Sequence, residues 1–113
     1  MSEGAERRQH ERFELRALVE LHRGTKIEPL RVINISAGGV LLRNDHNIGF
    51  EIGDDIRLHF DVPELRVSFT MVARIIRVIA MTAKPAALAA MWTSSDAAAA
   101  ASLGQLLWSL KSS

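Results

Sequence analysis

Phe13-Glu14-Leu15-Arg16-Ala17-Leu18-Val19-Glu20-Leu21 alternates along its length. Phe13, Leu15, Ala17, Val19 and Leu21 share one parity, and Glu14, Arg16 and Glu20 hold the other. A period of two is that of a pleated strand with one face buried and one wet. Downstream, Arg23-Gly24-Thr25 reads as a hairpin turn. Residues 30–35 and 39–43 read as the second and third strands, and the polar stretch 44–53, with two glycines, as a loop. Asp54-Asp55 leads into Ile56, Leu58 and Phe60, which alternate again. Asp61-Val62-Pro63-Glu64 is a turn, because proline is poorly tolerated inside a sheet.

Residues 67–79 form a long strand rich in Val, Ile and Phe, long enough to be bulged or bent. In it Phe69, Met71 and Ala73 share a parity with Ile75 and Ile79, while Arg74 takes the other. Residues 86–92 read as a last strand, weakened by alanines. Short strands spaced by turns predict an all-β domain, a closed or nearly closed antiparallel barrel. Closure also removes the edges of so small a sheet.

With 113 residues, 48% of them hydrophobic, the chain suits one small domain with a core. The absence of cysteine excludes disulfides and thiolate chemistry. The first 15 residues are too polar for a signal peptide, and no apolar run approaches about 18 residues, so no integral membrane segment is expected and a cytoplasmic location is. A net charge of +1 is low for a duplex-DNA binder, so the basic character is local.

Residues 81–113 carry only three charges, Lys84, Asp96 and Lys111. Ser94 or Ser95 is placed to cap a helix with Asp96 in its first turn. Leu103, Leu106, Leu107 and Leu110 recur at helical spacing and make one apolar stripe. That stripe is expected to cover the barrel, to join a second subunit, or both. Trp92 and Trp108 are expected to be packing anchors. The layout is therefore an arginine-bearing arm over residues 1–12, a barrel over 13–93 and an amphipathic helix over 94–113.

Two polar clusters carry the chemistry. Arg7-Arg8-Gln9-His10-Glu11-Arg12 puts three guanidinium forks into six residues. Each fork can pair bidentately with a phosphate or with the O6 and N7 edge of guanine, and its flat face can stack on a purine. Asn34-Ile35-Ser36-Ala37-Gly38-Gly39 is a turn between two strands, with donors and acceptors on Asn34 and Ser36 and backbone freedom at its glycines. Each cluster alone also suits a solvated tail or a self-satisfied turn. Twenty-one residues separate Arg12 from Asn34, room for one strand out and one back, so the arm can fold over the turn.

Taken together, Arg8-x-x-x-Arg12 followed by Asn34-x-Ser36-x-x-Gly39 resembles the pattern of the PilZ family, with Arg7 making its double-arginine start. The resemblance extends over about residues 7–80. It implies a six-stranded antiparallel barrel that binds cyclic di-GMP, a bacterial second messenger, as one molecule or as an intercalated dimer, with no catalytic cofactor. Under it, Arg7, Arg8 and Arg12 form the clamp, Asn34 and Ser36 contact a guanine, and Gly39 keeps the surface open. Ala89-Ala90-Met91-Trp92 departs from the family, which has a glycine in its closing strand.

No enzyme constellation accompanies these clusters. His10, His22, His46 and His59 are scattered without metal-ligand spacing. Asp54 and Asp55 point to opposite faces of a strand, and Ser36 has no nucleophile-elbow context. The expected function is a non-catalytic receptor or adaptor coupling cyclic di-GMP to a downstream protein, with a homodimer as a further expected contact. The alternatives are a nucleotide-blind interaction module of the same fold and a small RNA-binding barrel. Few aromatics in the strands and the near-zero charge weigh against nucleic acid.

Overall fold

The computed structural model describes residues 10–45, 49–81, 84–94 and 96–112. In chain order the elements are β1 (Phe13–Glu14), β2 (Leu18–Arg23), β3 (Lys26–Ile35), β4 (Gly39–Asn44), β5 (Asp55–Val62), β6 (Val67–Met81), β7 (Lys84–Trp92) and a C-terminal helix, α1 (Ala97–Ser112). The ladder runs β3-β2-β5-β6-β7-β4, and β4 returns to β3, so six antiparallel strands close into a barrel while β1 adds to β3. Closure leaves each of the six strands with two neighbours.

The alternating residues of the first stretch fall as their pattern predicts, with Leu15, Val19 and Leu21 buried. The stretch is not one strand, however. β1 pairs Phe13 with Ile35 and Glu14 with Asn34, whereas β2 begins only where Leu18 meets Arg31. Between them, the Val32 N–H donates to the Ala17 carbonyl at 2.9 Å. The interruption lies opposite a register shift in β3 between Val32 and Asn34.

Inside the barrel, Leu21, Leu42, Leu58, Phe60, Ile75 and Leu88 are fully buried, and Phe60 stacks on Phe69 with ring centroids 4.9 Å apart. Each such side chain contributes about 1.5–3 kcal/mol relative to exposure. β5 extends to Val62 and ends on a single 3-10 turn at Pro63–Leu65, where the proline signal predicts a turn. β6 shifts register between Ile75 and Arg77 and again between Ile79 and Met81. The first shift overturns one parity expectation: Ile79 leaves the interior face of Ile75 and lies outside, opposite Ala87.

Asp96, rather than a serine, caps α1. Its Oδ1 accepts the Ala98 N–H at 3.0 Å and its carbonyl accepts the Ala100 N–H at 3.0 Å. Ser95 lies outside the described residues. Ala99, Leu103 and Leu106 are buried and Leu107 and Leu110 partly so, packed on β6 and β1 of the same chain. The stripe therefore covers its own barrel. Trp108 is no packing anchor: it lies off the stripe and is 69% exposed. Among the described residues, no helix is long and apolar enough to cross a membrane.

Candidate functional site

The outer faces of β3, β4, β7 and β6 form the floor of an open groove of about 390 Å³. Its rim includes His10 and Arg12 from the arm and Ser36, Gly38 and Gly39 from the β3–β4 turn. The pairing of β1 with the end of β3 explains this proximity. Phe13 lies opposite Ile35, so the residue before it, Arg12, is held beside the turn that follows Ile35.

The turn is built around one hydroxyl. Ser36 Oγ accepts the N–H groups of Gly38 and Gly39, both at 3.2 Å, while the Ser36 N–H donates to the Gly39 carbonyl at 2.9 Å. This is a serine turn, which satisfies backbone donors that a sharp reversal would otherwise leave unpaired. From the other side, the Trp92 N–H donates to the Gly38 carbonyl at 3.1 Å, and the Trp92 indole Nε1–H donates to the Ser36 carbonyl at 3.0 Å. The anchoring role expected of Trp92 thus includes polar contacts: its ring meets Phe60 edge-on and its N–H fixes the turn. A partly buried indole needs an acceptor for its N–H, and that requirement was the available sequence signal.

The two glycines have separate reasons. Gly39 opens β4 opposite Met91, and a Cβ there would run into the Ala90 carbonyl of β7. The missing side chain is required by barrel closure, a different demand from keeping the surface open to a ligand. A Cβ on Gly38 would stand 2.7 Å from Cδ2 of His10, so the imidazole ring lies on this glycine.

Of the residues singled out from the sequence, Arg12, Asn34, Ser36 and Gly39 come together on the groove. Arg7 and Arg8 lie outside the described residues. Arg77, Ile76, Ile79 and Met91 also line the groove, and nothing in the local sequence marks them as site residues. Among the described residues the charged lining is Arg12 and Arg77, with no Asp or Glu, so the groove is positive. Among the described residues neither arginine has a carboxylate partner. Outside the groove lining Arg43 pairs with Asp45 at 3.2 Å and Arg74 with Asp55 at 3.1 Å. Asn34 is half-buried, and its side chain makes no hydrogen bond among the described residues.

The other polar groups have structural tasks. Asp54 Oδ2 accepts the Glu51 N–H at 2.9 Å, Asp55 holds Arg74, and His59 Nδ1 lies 2.9 Å from the Thr70 hydroxyl. Among the described residues no group of three His, Asp or Glu side chains is arranged to hold a metal ion.

Comparison with known proteins accords with this architecture. The PilZ domain model matches residues 6–107. No curated protein matches. Among solved structures, the inhibitor of motility MotI/DgrA of Bacillus subtilis superposes with a TM-score of 0.76 at 19% identity, covering 94% of this chain and 50% of that one. The PilZ domain of YcgR from Escherichia coli, solved with c-di-GMP, gives 0.74 at 13% identity, covering 94% of this chain and 92% of that one. The MrkH–c-di-GMP complex of K. pneumonia gives 0.74 at 17%, covering 92% and 52%. This chain spans about half the length of MotI/DgrA and MrkH. At these identities the likeness is one of fold.

Proposed function

The chain belongs to the PilZ domain family, and from that premise we propose that it is a non-catalytic receptor and adaptor for cyclic di-GMP. The observation that carries the reading is the convergence of Arg12 with Asn34, Ser36 and Gly39 on one positive groove, lined among the described residues by no Asp or Glu. Such a groove suits an anion with flat rings and hydrogen-bonding edges. Two of the similar structures hold c-di-GMP, which supports the same ligand here.

In this proposal Arg7, Arg8 and Arg12 of the arm, residues 1–12, clamp phosphate and guanine with their planar forks. Asn34 offers a free amide to a guanine edge. Ser36, through the turn it holds, presents the Gly38–Gly39 backbone at fixed height. The barrel, residues 13–93, supplies the rigid floor, and the helix, residues 94–113, supports it. The open groove of about 390 Å³ is the seat for the first dinucleotide in this proposal. A second copy of the dinucleotide would intercalate above the first. The adaptor role requires a downstream protein, and a second copy of the chain is the other partner proposed.

Calorimetric titration with cyclic di-GMP, a linear GMP dinucleotide and single-stranded RNA tests the reading. Saturable binding of the cyclic form in preference to the other two is expected. Silence with all three would favour a nucleotide-blind module, and preference for RNA would favour a nucleic-acid barrel.

A further inference from the structure

The groove has a second cationic end that the arm does not supply. Arg77 is exposed, lines the groove and has no carboxylate partner among the described residues. Its position depends on the first register shift of β6. Ile75 lies opposite Ala90, and both are buried. An uninterrupted ladder would next set Ile76 opposite Ala89 and Arg77 opposite Leu88, a fully buried residue, and so turn the guanidinium away from the outer face. A bulge instead leaves Ile76 as the extra residue and puts Arg77 opposite Ala89.

The consequence is a row across four strands on the outer face. Asn34 lies opposite Leu41, Leu41 opposite Ala89, and Ala89 opposite Arg77, and all four residues line the groove. Adjacent strands lie about 4.8 Å apart, so the three steps from Asn34 to Arg77 run about 14 Å along the curved outer face of the barrel. β3 shifts register beside Asn34 as β6 does beside Arg77. The middle of the row is apolar and its two ends are polar. Ile76, 50% exposed, and Met91, 47% exposed, also line the groove with Arg77.

Resting on the cyclic di-GMP reading, we infer that Arg77 is a ligand-binding and selectivity-determining residue. Its guanidinium meets a phosphate or a guanine O6 and N7 edge at the end of the row away from Asn34, while Ile76 and Met91 seat the face of a purine. A ligand with acceptors spread along the row engages both ends. A mononucleotide engages one. The bulge thereby favours a dinucleotide over its half.

Calorimetry with cyclic di-GMP and with 5′-GMP on the full chain, Arg77→Met, Arg77→Lys and Arg74→Met tests this. Arg77→Met should weaken cyclic di-GMP at least tenfold and 5′-GMP less than threefold, with Arg77→Lys intermediate. Arg74→Met, on the same strand but outside the groove, should stay within twofold of the parent. Parental cyclic di-GMP affinity in folded Arg77→Met overturns the inference and leaves the proposed function standing. If the parent chain itself ignores cyclic di-GMP, the proposed function fails separately. The Arg77 assignment is then decided by arginine Nε–H NMR with pyrophosphate: a saturable shift of the Arg77 signal upholds an anion site, and no shift overturns it.

Discussion

Trp92 donates its indole N–H to the carbonyl of Ser36 at 3.0 Å, joining the last residue of the closing strand to a turn 56 positions earlier. The same ring meets Phe60 edge-on in the core, with centroids 5.8 Å apart. The turn beside the groove is therefore fastened to the barrel interior. Trp92→Phe keeps most of the ring contact and removes the donor. We predict a loss of about 0.5–1.5 kcal/mol in urea denaturation, the scale of one hydrogen bond, together with weaker cyclic di-GMP binding. Unchanged stability and affinity would show that the turn holds itself.

Gly39→Val should destabilise the barrel. The new side chain would press on the Ala90 backbone, which a strand in a closed ladder cannot yield cheaply. Denaturation should show a loss of at least about 1–3 kcal/mol. At Gly38 the obstacle is the movable His10 ring, so Gly38→Ala should stay close to parental stability while displacing His10. Ser36→Ala should fall between them, since it strips two N–H groups of their acceptor. A folded, stable Gly39→Val would contradict the packing given for β4 and β7.

Much of the barrel was legible because its strands have one dry face. Val19 and Leu21, then Ile56, Leu58 and Phe60, fall inside as alternation demands. The bulges were not legible. Ile33 and Ile76 look like ordinary strand residues, and their displacement shows only in the register against the next strand, which local alternation does not record. Because the β6 bulge reverses parity, Ile79 and Arg77 reach the groove when local alternation says nothing of a site. The arm and the turn could be paired from sequence because the hairpin length between them is countable. Trp108 misled because apolar surroundings in sequence do not determine which side of a helix is covered.

The helix separates burial from hydrophobicity. Leu106 is fully buried against the barrel, whereas Trp108 is largely exposed. Leu106→Ala should cost about 2–5 kcal/mol in thermal or urea unfolding, and Trp108→Ala should change stability by less than about 0.5 kcal/mol. Equal costs would contradict the helix orientation.

The arm should act on affinity rather than on stability. Arg8→Ala and Arg12→Ala should each weaken cyclic di-GMP binding by about 1.5–3 kcal/mol, the range of hydrogen bonds to charged groups. Lysine at either position should restore only part, because it keeps charge but loses the fork. Melting temperatures should move little. Parental calorimetric affinity in both alanine variants would remove the clamp from the account.

The most direct measurement follows the backbone amide signals of the labelled chain during titration with cyclic di-GMP. The account predicts saturable shifts centred on Arg12, on Asn34 and the turn at residues 36–39, and on the row through Leu41, Ala89 and Arg77, with Leu21 and Leu58 unmoved. Shifts centred instead on the second surface depression, lined by His22, Arg23 and Arg57, or no shifts at all, would contradict it.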